Sequence, residues 1–302
     1  MSNRPDIIEA KGICDSRSIP DRDFHALWDA VIVDSAVKDR LLGQAVLNFS
    51  VRPKLNRAEI PLHGVILLVG PPGTGKTSLA RGLASRTAEA VTGKFHYLEV
   101  EPHALASAAL GRSQQAVKHL LSSVIAEHAG FGPLIVVLDE VETLAADRSK
   151  MSLEANPIDV HRATDAVLAQ LDQLAARFSQ LLFIATSNFE QAIDLAFLSR
   201  ADLIEPIGMP NEAACEQILR ATLIALAKPF PKVETIMRTP EFKRAARLCL
   251  GLDGRRIRKI PIAACARDKQ IAMDPNRLTA NDLVAAIEQA HEEIARRNGG
   301  RR

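Results

Sequence analysis

Gly70-Pro71-Pro72-Gly73-Thr74-Gly75-Lys76-Thr77 puts three glycines, a lysine and two hydroxyls into one short stretch. Glycines let a backbone wind until successive N–H groups converge, and such a concavity suits phosphate oxygens. In the pattern G-x-x-x-x-G-K-[ST] the lysine reaches the terminal phosphates and the final hydroxyl ligates Mg²⁺. The stretch follows VILLV and precedes SLARGLA, a strand and a helix start, which is the context the chemistry needs. Residues 70–77, with Ser78 at the opening of the helix, are therefore the expected nucleotide contacts, and Thr77 is an expected Mg²⁺ ligand.

Leu134-Ile135-Val136-Val137-Leu138 runs into Asp139-Glu140. A carboxylate at the end of such a strand can hold Mg²⁺ through water, opposite Thr77. Glu140 is then placed to polarise an attacking water as general base. LLFIATS (181–187) ends in Asn188, an amide that either positions that water or serves as an ordinary strand-end turn residue. Arg200, in Ser199-Arg200-Ala201-Asp202, either projects into a neighbouring subunit's site to neutralise transition-state charge or pairs on the surface with Asp202. Gly251-Leu252-Asp253-Gly254-Arg255-Arg256-Ile257-Arg258-Lys259 is the basic cluster of the C-terminal third. It offers Arg255 to a nucleotide phosphate, or a basic face to a nucleic-acid backbone, or only a solvated helix side.

Positioning these groups requires strands that deliver them to one edge. Apolar runs at 65–69, 95–100, 134–138 and 181–185 alternate with helical patterns at 76–90, 113–128 and 159–177. Short buried strands alternating with helices predict a parallel sheet covered on both faces. After Pro206 the pattern is helical, at 211–228, 239–250, 254–272 and 279–297. Thr239-Pro240-Glu241 reads as a cap with proline at the first helical position, and Thr279 with Asp282 as a capping box. The expectation is a flexible arm over 1–21, an α/β domain over 22–206 and a smaller helical lid over 207–302.

The 38 basic and 36 acidic residues nearly balance, so net charge gives no argument for a nucleic-acid partner. Four cysteines without C-x-x-C spacing argue against a disulfide framework or a zinc site. No apolar run approaches the ~18 residues a membrane span needs, and the first residues lack a signal-peptide core. A cytoplasmic location is expected. Trp28 reads as a core or adenine-side packing residue, and the eight histidines show no ligand spacing.

The order of these elements resembles the AAA+ set: Walker A, Walker B, sensor 1, arginine finger and sensor 2. FHALWDAVIVDSAVKDRLL (24–42), LDEVETLAADR (138–148), HRATDAVLAQLDQL (161–174), TSNFEQAIDLAFLSRAD (186–202) and GLDGRRIRKIP (251–261) are similar to one family, the pachytene-checkpoint AAA+ ATPases that remodel HORMA-domain proteins. The likeness covers about residues 22–270. It implies nucleotide contact by Lys76 and Thr77, Mg²⁺ at Asp139, catalysis by Glu140, sensor 1 at Asn188, a trans-acting finger at Arg200 and sensor 2 at Arg255. It also implies a hexameric ring whose pore pulls on a terminal segment of its substrate.

Two departures from the family stand out. Longer eukaryotic members carry an N-terminal substrate- or adaptor-binding domain where this chain has only its arm, so it is closer to compact bacterial relatives that resemble regulators of antiphage cyclic-nucleotide signalling. The pore loop, expected at Ala108-Ala109-Leu110-Gly111, lacks the family's aromatic and offers Leu110 as its bulky side chain, with less area to grip. A second pore segment is expected within 149–160. The reading is an ATPase remodelling a HORMA-domain protein. A nucleic-acid-directed motor or clamp-loader-like ATPase is the alternative, and a binder without turnover is disfavoured because it needs neither Glu140 nor Arg200.

Overall fold

The computed structural model describes residues 12–101, 118–145 and 157–299, with the side chains of 157–163, 298 and 299 excepted. The expected pore-loop residues Ala109, Leu110 and Gly111 lie outside the described residues, as does most of 149–160. The chain forms two compact units, residues 1–70 with 76–207, and residues 71–75 with 208–302.

The first unit is a six-stranded sheet in the order β1-β3-β4-β5-β2-β6. Its strands are β1 (Ile13–Ile19), β2 (Val65–Val69), β3 (Phe95–Val100), β4 (Leu134–Leu138), β5 (Leu181–Ser187) and β6 (Leu203–Pro206). Strands β2 to β6 are parallel, whereas β1 runs antiparallel along β3 from Ile13 opposite Val100 to Ile19 opposite Phe95. The sheet is therefore mixed. Residues 13–19, expected in a flexible arm, are a strand, because Ile13 and Ile19 are buried at its ends while the polar residues between them complete the ladder. β6 has no counterpart among the apolar runs, being only four residues long.

Alternation along the buried strands divides the core in two. Leu67, Val136 and Phe183 face one layer, which Leu120, Leu121 and Ile125 cover together with Val167 and Leu171 of α5 (Pro157–Arg177). Ile66, Leu68, Val137 and Ile184 face the other, covered by α1 (Arg22–Ala30), α2 (Ser35–Ser50) and α3 (Lys76–Ala90). Among the described residues the other α-helices of this unit are α4 (Ala126–Phe131), preceded by a π-helical segment at Leu120–Ile125, and α6 (Leu195–Leu198). Trp28 belongs to the second layer; a Cβ at Gly82 of α3 would lie 2.6 Å from the Trp28 Cβ. That contact leaves it a packing role.

Two polar clusters brace this unit. Arg52 is buried and gives hydrogen bonds to Leu181 O at 2.8 Å and Ala175 O at 3.0 Å, joining the end of α5 to the start of β5. Desolvation brings its pKa down to about 10, and carbonyls at a helix C-terminus are natural acceptors for a cation. Glu99, buried on β3, accepts Arg81 of α3 through both oxygens at 2.6 and 2.9 Å, and the Tyr97 hydroxyl at 2.7 Å. A carboxylate so fully engaged ties α3 to β3 and has little capacity left for catalysis.

The helical unit contains α7 (Glu212–Ala227), α8 (Pro240–Leu248), α9 (Gly254–Cys265), α10 (Lys269–Met273) and α11 (Ala280–Gly299). The capping box forms as expected: Thr279 N donates to Asp282 Oδ2 at 2.9 Å and Asp282 N to Thr279 Oγ1 at 3.3 Å. Thr239 does not cap α8, since its hydroxyl donates instead to Ile236 O at 2.8 Å. The helix expected over 254–272 is two helices, because Asp268 accepts Gln270 N at 2.6 Å and starts α10. Ile257 and Ile260 are buried; of the charges between them Lys259 is exposed, whereas Arg258 is half-buried and desolvation lowers its pKa.

Candidate active site

Sheet register brings the expected groups together. Leu138 pairs with Ala185, so the next residues along, Asp139 and Thr186, stand side by side. Val69 pairs with Ser187, and Gly70 N donates to Ser187 O at 3.2 Å, which sets the start of the glycine turn beside Asn188. Carboxyl ends of parallel strands are where α/β sheets bind ligands.

Lys76 is 6% exposed, and its ammonium donates to Gly70 O at 2.8 Å and Asn188 Oδ1 at 2.9 Å. Asn188 Nδ2 donates to Glu140 Oε1 at 3.0 Å, and Asn188 N to Glu142 Oε1 at 3.1 Å. Lys76 has only donors to offer, so the amide oxygen must face it and the amide nitrogen must face Glu140. Asn188 therefore links the Lys76 ammonium to the Glu140 carboxylate.

The Thr77 hydroxyl donates to Asp139 Oδ1 at 2.9 Å. Thr186 Oγ1 donates to the same oxygen and accepts from Glu140 N at 3.2 Å. A hydroxyl and a carboxylate held together are hard oxygen donors of the kind Mg²⁺ takes beside nucleotide phosphates, so the residues present fit that ion. Glu140 is left-handed, with φ 52° and ψ 54°. For a residue with a long side chain this is a strained backbone of the sort that collects at functional sites.

Thr186 was not among the expected site residues. The available signal was its place in the strand: it is two positions before Asn188, on a strand that lies beside the one ending in Asp139. Glu142, two residues beyond Glu140, carries no motif signal of its own in the sequence, yet it accepts the backbone N–H of Asn188.

In the turn itself, Gly73 has φ +84° and Gly75 has φ +95°. A Cβ on Gly73 would lie 2.3 Å from Asp253 Oδ1, while Arg255 N donates to Gly73 O at 3.1 Å. Pro71 and Pro72 are exposed on the turn, and the Thr74 hydroxyl closes it on Pro71 O at 3.0 Å. Ser78 sits half-buried in the first turn of α3.

The basic cluster is divided by its contacts. Asp253 caps α9 through Arg256 N at 2.9 Å and pairs with Arg256 Nε at 3.1 Å, whereas the Arg255 side chain is exposed. A groove of about 580 Å³ between α9 and α11, lined in part by Arg256, Lys259, Arg267 and Glu293, shares no residue with the glycine turn or the strand-end carboxylates. It is not the nucleotide site.

Arg200 is not paired with Asp202. It is held by Asp172 of α5, with Nε on Oδ1 at 2.9 Å and Nη2 on Oδ2 at 2.7 Å. Asp202 is occupied elsewhere, accepting the backbone N–H groups of His63, Gly64 and Val65 at 2.9, 2.6 and 3.2 Å. That carboxylate secures the start of β2.

Among the described residues no group of three or more His, Cys, Asp or Glu side chains could hold a metal, and no helix is long and apolar enough to cross a membrane. Burial raises the Cys249 thiol to about 12, and raises Cys215 and Cys265 as well.

Residues 66–209 match the family described as ATPase family associated with various cellular activities (AAA). The chain is 58% identical over 283 residues to CD-NTase-associated protein 6 of Pseudomonas aeruginosa, covering 93% of each. It is 34% identical over 273 residues to the pachytene checkpoint protein 2 homolog of Gallus gallus, covering 82% of this chain and 63% of that longer protein. A chain in the solved structure of the E. coli MS115-1 HORMA:CdnC:Trip13 complex superposes with a TM-score of 0.75 over 95% of this chain and 97% of that one. At 17% identity that likeness speaks to fold alone.

Proposed function

Because the chain belongs to the AAA+ ATPases of the bacterial pachytene-checkpoint type, we propose that it works as a homohexameric ring, hydrolysing Mg²⁺-ATP to remodel a HORMA-domain protein in an antiphage cyclic-nucleotide signalling system. The observation that carries the catalytic part is the chain of contacts Lys76–Asn188–Glu140 beside Thr77–Asp139. Lys76 and the glycine turn bind the triphosphate, Asn188 orients the Glu140 carboxylate toward the attacking water, and Glu140 accepts its proton. Thr77 and Asp139 are the residues to hold Mg²⁺, which supplies positive charge to the phosphates when bound. Arg255 is a further nucleotide contact, and Arg200 acts on the nucleotide of an adjoining copy.

The partner rests on likeness. A relative covering 93% of this chain is named for association with a CD-NTase, and a chain of the same fold was solved in a complex with HORMA and CdnC proteins. Purified protein should hydrolyse ATP only with Mg²⁺ present and do so faster when a HORMA-domain protein is added, with that protein's conformation changed. Equal rates with and without it, and no conformational change, would refute the remodelling role; stimulation by DNA in its place would favour a nucleic-acid motor. Glu140→Gln should retain ATP binding and lose turnover.

A further inference from the structure

The guanidinium of Arg200 is held within its own chain at three points. Nε and Nη2 bind the two oxygens of Asp172 at 2.9 and 2.7 Å, and Nη1 donates to Ala196 O at 2.6 Å. A guanidinium has five N–H donors in one rigid plane. Among the described residues, one donor on each terminal nitrogen is left for a further acceptor, and two such donors match a phosphate.

Asp172 is itself braced. Arg57 Nη1 donates to its main-chain carbonyl oxygen at 3.0 Å, and His63 Nε2 lies 3.3 Å from its carboxylate Oδ1. The other carboxylate close in sequence, Asp202, is occupied by three backbone N–H groups and cannot compete. Side-chain exposures of 22% for Arg200 and 39% for Asp172 make this a partly solvated ion pair, a kind that adds little to folding stability. Its effect is on orientation: a long, flexible arginine is confined to one plane before any ligand arrives.

We propose that Asp172 is a positioning residue for catalysis in the adjoining copy: it aims Arg200 so that the two remaining guanidinium donors are presented to that copy's ATP phosphates. The proposal rests on Arg200 acting in trans, so its test separates the two ideas. Lys76→Ala copies cannot bind nucleotide but can donate Arg200; Arg200→Ala copies bind nucleotide but donate nothing. Mixing the two full-length variants should restore turnover that neither has alone.

Adding Asp172→Asn to the Lys76→Ala copies should lower the restored kcat about 10- to 100-fold, with KM for ATP within about threefold. Adding it to the Arg200→Ala copies should leave the restored rate unchanged, since those have no arginine to aim. Asp172→Glu in the donor copies, which keeps a two-oxygen acceptor, should recover part of the loss. A loss of the same size in both placements would mark a structural effect and overturn the proposal, as would no loss in either. If Lys76→Ala and Arg200→Ala copies fail to complement at all, it is the trans reading of Arg200 that falls.

Discussion

Asn188 Nδ2 donates to Glu140 Oε1 at 3.0 Å, so the amide at the end of β5 restrains the carboxylate that follows β4. The same amide accepts from Lys76, and a change at Asn188 is felt at both charges. Asn188→Ala should lower kcat about 100-fold, the scale of losing one preorganised polar group, with ATP affinity nearly retained. Asn188→Asp keeps an acceptor for Lys76 but sets like charge against Glu140, and should be no better than alanine. Steady-state kinetics beside nucleotide titration check this; an Asn188→Asp protein with parental kcat would refute the assigned geometry.

Thr186 should matter through Mg²⁺. Its hydroxyl serves both Asp139 and the Glu140 backbone N–H, and valine preserves the shape of the side chain while removing both contacts. Leaving the Glu140 N–H without that acceptor costs about 1–3 kcal/mol in a buried setting. Thr186→Val should raise the Mg²⁺ concentration for half-maximal ATPase several-fold and lower kcat. An unchanged Mg²⁺ titration would show that Thr186 does not orient the carboxylate.

Two glycines should respond in opposite directions to alanine. Gly73 combines φ +84° with Asp253 Oδ1 at 2.3 Å from a built Cβ, so Gly73→Ala should abolish nucleotide binding and lower the melting temperature. Gly43 lies inside α2 with open space around its Cβ, so Gly43→Ala should stabilise by about 0.5–1 kcal/mol with activity intact. Thermal melts with and without ATP distinguish the two.

Acid should undo the Asp172 contact. Hydrogen bonding from Arg200 holds the Asp172 carboxyl below its ordinary value. Its contribution to stability is therefore present above the unfolded value near pH 4 and is lost as pH falls through the lowered folded value. Burial, followed by the charge of Arg57, lowers the pKa of the nearby His63, so its protonation likewise disfavours folding as pH drops. The melting-temperature gap between the parent and Asp172→Asn should be steady around pH 7 and shrink in strongly acidic buffer. A gap that widens with acid would contradict this sign.

Much of the site was legible because its groups follow apolar runs. The ends of 65–69, 134–138 and 181–187 deliver Gly70, Asp139 and Asn188, and parallel pairing converts adjacency of strands into adjacency of side chains. What escaped had no local pattern. β1 has two isoleucines separated by five mostly polar residues, and its pairing depends on the exposed edge of β3. The Arg200–Asp172 pair joins residues 28 apart in sequence, whereas Asp202, two residues from Arg200, is engaged by three backbone N–H groups. Thr186 reads as one more β-branched strand residue, and only the register with β4 gives its hydroxyl a task.

The left-handed backbone at Glu140 sets folding and turnover against each other at one position. Asparagine tolerates that conformation better than glutamate does. A Glu140→Asn protein should thus melt no earlier than its parent while hydrolysing nothing. Screening variants for thermal robustness alone would favour inactive substitutions here, and any campaign to toughen this ATPase would have to leave residue 140 untouched.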